Sequence, residues 1–124
     1  MKKLYDRKLK PRIKLWLYSE NSQGSFGDGK WRLLETIEKT KSLKLTCELL
    51  GVSYRKAWGN LKKAEQCLDF TLVTRSRGGI THGHSNLTEQ GRAWMKAYSK
   101  FHQYIENAAE TAYGKYLENF ELKQ

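Results

Sequence analysis

The sequence has little proline, cysteine and acidic charge, and it has no long apolar run. Its 124 residues include one proline and two cysteines, Cys47 and Cys67. No apolar stretch has the length of a signal-peptide core or of a membrane-spanning helix. Because both cysteines lie at apolar-type positions of predicted helices, we expect reduced core thiols rather than a disulfide or a metal pair. These absences indicate a cytoplasmic chain without a membrane partner.

Catalytic motifs are missing as well. The sequence contains no P-loop, no GxSxG and no HExxH pattern. His82 and His84 could bind a metal together with a carboxylate, but two histidines in a loop are more often solvated or near phosphate. Cys67 is not paired in sequence with an activating base. We therefore expect no enzyme, no metal site and no cofactor.

Positive charge is what the sequence has in excess. There are 23 Lys and Arg residues against 13 Asp and Glu, which gives a formal net charge of +10. The length suits one domain with a modest core. So large an excess in a small chain indicates a polyanionic partner, with nucleic acid ahead of an acidic membrane surface.

Residues 42–68 have the pattern of two short helices joined by a tight turn. Apolar residues recur at steps of three and four, first at Leu43, Cys47 and Leu50, then at Ala57, Leu61, Ala64 and Leu68. Gly51 suits a left-handed residue after the first helix, and Ser53 suits the N-cap of the second. The outer face of the second helix is basic, which is typical of the recognition helix of a helix-turn-helix. The alternative is an ordinary helical hairpin with a solvated basic face.

The chain before this stretch is predicted to contain an arm, a hairpin and a helix. Residues 1–10 read as a basic flexible arm. Residues 11–18 alternate between apolar and polar side chains, which predicts a strand, and residues 25–26 could form a short return strand. Asp28 is a candidate cap for a helix over residues 29–40.

The chain after it is predicted to form a hairpin. Residues 72–75 have the composition of a strand, residues 78–84 that of a flexible loop, and residues 85–87 would return as a second strand. A hairpin directly after a recognition helix is a wing, which reaches the adjacent minor groove or the DNA backbone. The alternative is a mobile surface hairpin.

The last predicted element is a long helix that begins at the N-cap Thr88 and continues to about Tyr113, with Gly114 able to end or bend it. Its apolar residues recur at alternating steps of four and three, and these form the predicted dimerisation seam: Trp94, Tyr98, Phe101, Ile105, Ala108 and Ala112. The alternative is that this helix packs only on its own domain.

The predicted fold class is thus α+β and mainly helical. It is a winged helix-turn-helix with an N-terminal hairpin and a long C-terminal dimerisation helix. The predicted division is an arm at 1–10, the winged domain at 11–87 and the C-terminal helix at 88–124.

Several motifs together carry a family resemblance. The chain contains FGDGKWRLLETI, LLGVSYRKAW, LVTRSRGG and LTEQGR in this order. Over about residues 9–104 it resembles the N-terminal DNA-binding domain of ModE-type molybdate-responsive regulators, which are grouped with the LysR-type winged helices. The resemblance implies a homodimer on an operator with dyad symmetry. Such regulators also carry C-terminal molybdate-binding domains, and the sequence ends before one could begin, so we expect no molybdate binding by this chain.

The predicted DNA contacts lie on the recognition helix and on the wing. The first turn of the recognition helix would enter deepest, with Ser53, Tyr54, Arg55 and Lys56. Arg55 is the best candidate for a bidentate guanine contact, worth about 1–3 kcal/mol of discrimination, and Gly59 would allow close approach of a backbone. The phosphate and wing candidates are Lys62, Lys63, Arg75, Arg77, Thr81 and His82. Trp58 reads as a packing residue rather than a base contact.

These patterns favour a sequence-specific, bacterial-type transcriptional regulator that binds double-stranded DNA at a palindromic operator as a homodimer. The alternative is a module that binds nucleic acid nonspecifically or binds a partner protein through its aromatic C-terminal helix.

Overall fold

The computed structural model describes residues 9–21, 24–76 and 84–121. Within these ranges it contains four helices and two antiparallel sheets of two strands each. In chain order the elements are β1 (Trp16–Tyr18), β2 (Ser25–Gly27), α1 (Asp28–Thr40), α2 (Leu43–Leu50), α3 (Tyr54–Leu68), β3 (Val73–Ser76), β4 (His84–Leu87) and α4 (Glu89–Tyr116). This mixture of long helices with small sheets is what the predicted α+β class requires. The predicted arm at residues 1–10 lies almost wholly outside the described residues.

The chain divides into two compact units. One unit is Leu15–Ser99, and the other combines Met1–Lys14 with Lys100–Gln124. The first unit has a hydrophobic core to which every one of α1 to α3 contributes; its largest fully buried apolar side chains are Phe26, Leu34, Ile37, Leu43, Leu61 and Leu72. The apolar periodicity predicted for α2 and α3 is confirmed, since their three- and four-step positions face this core.

The sheet formed by β1 and β2 is shorter than predicted. Leu17 pairs with Phe26, and only three residues of each strand take part. The strand predicted over residues 11–18 is shorter because its partner strand ends at Gly27. Asp28 donates its backbone N–H to the Leu15 carbonyl at 3.1 Å, and α1 begins at that residue. Trp16 and Tyr18 remain 64% and 70% exposed.

Asp28 is not the cap of α1, so that prediction was wrong. The N-cap is Gly27, and it makes no side-chain capping hydrogen bond. The Asp28 carboxylate instead accepts a hydrogen bond from the Tyr98 hydroxyl at 2.7 Å and one from the Leu15 backbone N–H at 3.2 Å. Burial and this hydrogen bond raise the pKa of Tyr98 well above its usual value. A tertiary contact therefore takes the carboxylate that a cap would have used.

The predicted caps of α2 and α3 are confirmed. Gly51 follows α2 with a φ of 67°, in the left-handed region where a glycine costs least. Ser53 precedes α3, and its hydroxyl oxygen accepts a hydrogen bond from the Lys56 backbone N–H at 3.0 Å. These local signals fix where α2 ends and where α3 begins.

Strands β3 and β4 form the hairpin that follows α3. Val73 pairs with Leu87 and Ser76 with His84. Compared with the predicted strands, β3 begins and ends one residue later, and β4 begins one residue earlier. The hairpin is attached to α3 through Glu65, whose carboxylate accepts the Leu72 backbone N–H at 2.7 Å. The tip of the hairpin lies outside the described residues.

Helix α4 begins as predicted and ends later. The Thr88 hydroxyl accepts a hydrogen bond from the Gly91 backbone N–H at 2.8 Å, which confirms Thr88 as the cap. The helix continues through Gly114 to Tyr116, three residues beyond the predicted end near Tyr113, so Gly114 does not end it. Within the described ranges, no helix combines the length and apolar character needed to cross a membrane.

Close backbone packing explains the glycine near the start of α4. A Cβ atom at Gly91 would lie against the carbonyl oxygen of Leu72 and 3.0 Å from its carbonyl carbon. The Thr88 backbone N–H donates to the same carbonyl at 2.9 Å. Gly91 therefore allows α4 to leave the hairpin directly alongside the segment that enters β3.

Candidate nucleic-acid interface

Helix α3 presents a basic face away from the core. Ala57, Leu61 and Ala64 are buried, and the positions opposite them are exposed. Steps of four and three place Arg55, Gly59 and Lys62 along the middle of the exposed face. Flanking positions add further exposed charge, at Lys56 and Lys63. The sequence separates the two faces by period alone, because every basic residue falls outside the apolar stripe.

The charge of this face is not neutralised within the described part of the chain. The ion pairs found there join Glu38 to Lys41 and to Arg92, and His102 to Glu106. None of them includes a residue of α3. Four exposed cations on one helix, without carboxylate partners, create a positive potential that favours a polyanion.

The N-terminus of α3 adds to this potential. Ser53 and the first turn of the helix are exposed, so the partial positive charge of the helix end faces solvent. The Ser53 hydroxyl already accepts the Lys56 N–H, so its first role is to fix the helix start. The exposed first turn carries Tyr54, Arg55 and Lys56.

Gly59 has no packing neighbour within the described structure. A Cβ atom added there would meet nothing within 4 Å. A glycine in the interior of a helix costs about 1 kcal/mol relative to alanine, and no internal contact at this position requires it. The glycine instead leaves bare backbone at the centre of the basic face.

Arg75 of β3 lies against aromatic side chains of α3. Its guanidinium carbon is 4.8 Å from the ring centroid of Trp58 and 5.4 Å from that of Tyr54. The two rings meet edge to face, with centroids 6.4 Å apart. Trp58 is half-buried and packs against the core, as predicted. The structure therefore brings Arg75 to the flank of the basic face.

Three of the predicted wing contacts lie outside the described residues. These are Arg77, Thr81 and His82. The other predicted DNA contacts, from Ser53 to Lys63 together with Arg75, lie on α3 or against its flank. Among the described residues no group of three or more His, Cys, Asp or Glu side chains could hold a metal ion.

The predicted dimerisation residues divide between two environments. Tyr98 is 2% exposed, and its ring lies 5.0 Å from that of Phe26 in the core of its unit. Trp94 is half-buried and contacts the same phenylalanine ring at 5.4 Å. The remaining seam residues are exposed or partly exposed: Phe101, Ile105, Ala108 and Ala112. The N-terminal part of the predicted seam therefore packs in the core, because Trp94 and Tyr98 contact the fully buried Phe26.

Two features of the site were missed in the sequence. Glu65 is the only acidic residue of α3, and it holds the hairpin by accepting the N–H groups of Leu72 and Val73 at 2.7 and 3.4 Å. The sequence signal for this role was a single acidic residue in a helix whose other charged residues are all basic. The contact of Arg75 with the two rings had no sequence signal, because the partners lie on different elements.

Comparison with known proteins bears on this arrangement. No protein-family model matches the chain. It is 31% identical to the molybdenum transport protein ModE of Azotobacter vinelandii over 74 residues, and this aligned segment covers 60% of this chain and 27% of that protein. The chain is similar to ModE. The transcriptional regulator ModE of Yersinia pestis is 32% identical over 66 residues, covering 53% of this chain and 25% of that protein.

A longer alignment joins the chain to a molybdenum-pterin-binding protein, MopB of Rhodobacter capsulatus. It is 28% identical over 102 residues, which are 82% of this chain and 35% of MopB. The matched segment therefore spans about a quarter to a third of each of these relatives. Their names describe transport, regulation and pterin binding, and none of the three is the name of an enzyme. The relation to ModE-type and Mop proteins agrees with the resemblance carried by the sequence motifs.

Proposed function

We propose that this chain is a sequence-specific DNA-binding transcriptional regulator of the winged helix-turn-helix type, without enzymatic activity. The observation that carries the proposal is the exposed basic face of α3, whose cations have no carboxylate partner in the described structure. Helices α2 and α3 would form the helix-turn-helix, and β3 and β4 the wing. The transcriptional regulator among the similar proteins supports the same function.

Each part of the interface has its own role in this proposal. Arg55 lies in the first turn of α3 and would read a guanine edge in the major groove. Gly59 would let the helix backbone lie close to the DNA. Lys56, Lys62 and Lys63 would bind phosphates and contribute affinity without sequence information. We place this function in the cytoplasm, where Cys47 and Cys67, both free, would stay reduced.

The proposed regulator acts as a homodimer on a palindromic operator. The exposed apolar side chains of α4 and of the residues after it support a second copy as partner: Phe101, Tyr104, Tyr116, Leu117 and Phe120. A two-fold dimer would place two recognition helices about 34 Å apart, in successive major-groove faces.

Selection of bound duplexes from a random pool, at physiological salt, tests this proposal. Enrichment of an inverted repeat is the expected result, and its half-site spacing would give the distance between recognition helices. Binding that depends steeply on salt but enriches no sequence would contradict sequence reading, because charge alone produces such a dependence.

The same exposed aromatic residues favour a second candidate function. Tyr104 is 74% exposed on α4, and a protein partner could bind there while the basic face binds DNA nonspecifically. This candidate predicts retention of any duplex with equal affinity.

A further inference from the structure

The contact of Arg75 with α3 is the strongest feature whose role is not explained by the proposed function. The Arg75 side chain is exposed, yet its guanidinium carbon lies within 5.4 Å of both the Trp58 and Tyr54 ring centroids. A long exposed side chain normally samples many rotamers, and two ring contacts restrict them.

The interaction with the rings leaves the hydrogen-bonding capacity of Arg75 available. A cation is attracted to a ring face by the quadrupole of the ring, which uses none of the five N–H donors of a guanidinium. Among the described residues no carboxylate forms an ion pair with Arg75. The result is a restrained cation beside the first turn of α3 that is not neutralised by an acid.

The backbone around this contact is fixed from both sides. Ser53 caps the helix immediately before Tyr54, and Trp58 packs against the core. On the other side, Glu65 holds the start of the hairpin through the Leu72 and Val73 N–H groups. Arg75 follows two residues later, so the backbone that carries the guanidinium and the backbone that carries the rings are both anchored close to the contact.

We propose that Trp58 and Tyr54 are positioning residues that hold Arg75 ready to bind a DNA phosphate. The inference rests on the proposed DNA-binding function. A guanidinium that is already restrained loses less conformational entropy when a phosphate binds it. The rings therefore increase affinity for DNA through Arg75, and neither needs to touch a base.

A double-mutant cycle with measured salt dependence tests the inference. The variants are Arg75→Gln, Tyr54→Leu and the combination, each titrated with the selected duplex and with an unrelated duplex over a range of salt. Arg75→Gln should lower the slope of log K against log salt by about 1 on both duplexes, as expected for one lost phosphate contact. Tyr54→Leu should weaken binding about two- to fivefold when Arg75 is present. It should have almost no effect in the Arg75→Gln background.

Two controls separate positioning from a direct contact and from misfolding. Tyr54→Phe keeps the ring and removes the hydroxyl, so the coupling between position 54 and Arg75 in the double-mutant cycle should be preserved. Trp58→Leu removes a side chain that packs on the core, and is therefore used only where its circular dichroism and unfolding transition match those of the original chain. In the free protein, ring currents should shift the Nε–H resonance of Arg75, and Tyr54→Leu should reduce that shift.

Each contrary result has a distinct meaning. An unchanged salt slope in Arg75→Gln would overturn the phosphate contact. Equal losses from Tyr54→Leu in both backgrounds would overturn the positioning role and assign Tyr54 a contact of its own. Absence of any sequence preference in the original chain would refute the proposed regulator, while the slopes on the unrelated duplex would still decide the role of Arg75.

Discussion

Replacement of Gly59 by alanine should stabilise the protein and weaken its binding to DNA. The position is in the interior of α3, it is exposed, and an added Cβ atom would meet nothing within 4 Å. Alanine should therefore raise the free energy of unfolding by about 0.5–1 kcal/mol, the usual difference between the two residues in a helix. Urea unfolding followed by circular dichroism measures this gain.

The same methyl group should interfere with DNA if the α3 backbone approaches it closely. Gly59 lies between Arg55 and Lys62 on the exposed face, so a methyl there would occupy the centre of the interface. We expect the affinity for the selected duplex to fall at least about threefold, a loss of about 0.6 kcal/mol or more. Gains in stability and losses in binding from one substitution cannot both arise from partial unfolding.

Gly29→Ala is the matched control for this substitution. Gly29 lies in α1, is exposed, and also has open space around an added Cβ atom. It should not weaken DNA binding. If Gly59→Ala binds the selected duplex as tightly as Gly29→Ala does, the close approach proposed for α3 is wrong.

Three further predictions concern the scaffold that holds the site. Hydrogen bonds from Arg92 and Lys41 lower the pKa of Glu38 from 4.5 to about 2. The stability that this shift provides is present above pH 4.5 and is lost as the pH falls towards 2. Glu38→Gln should therefore make the urea unfolding midpoint less dependent on pH over that range, and an unchanged pH dependence would contradict the stabilising role of these hydrogen bonds. Gly91→Ala should destabilise the chain by more than about 1 kcal/mol, because its Cβ would press on the Leu72 carbonyl; equal unfolding midpoints would contradict that packing. Ser42 precedes α2, and its hydroxyl oxygen accepts a hydrogen bond from the Leu45 backbone N–H at 3.0 Å. Ser42→Ala should therefore lower the free energy of unfolding by about 0.5–2 kcal/mol; thermal unfolding measures this loss, and an unchanged melting temperature would contradict the role of the cap.

Local sequence signals predicted α2, α3 and their caps. Gly51 and Ser53 act through the backbone within a few residues of themselves, so their roles can be inferred without knowledge of the fold. The periods of the apolar residues likewise depend only on helix geometry. The basic face of α3 followed from the same pattern.

Features that depend on distant residues could not be predicted in this way. The length of β1 is set by where β2 ends, and the role of Asp28 is set by Tyr98, 70 residues further along the chain. Tyr98 itself was assigned to a dimer seam because its spacing fits one, whereas Phe26 buries it in the core. The contact between Arg75 and Trp58 joins a strand to a helix, and spacing within one element cannot reveal it.

The central claim is that α3 reads DNA sequence, and Arg55→Ala tests it most directly. The affinities of this variant for the selected duplex and for an unrelated duplex are measured at one physiological salt concentration, with Lys62→Ala as a control that removes an exposed charge from the same face. The proposal predicts that Arg55→Ala weakens binding to the selected duplex by about 1–3 kcal/mol more than binding to the unrelated one, while Lys62→Ala weakens both alike. Equal losses on both duplexes for Arg55→Ala would contradict base reading and leave the basic face as a nonspecific surface.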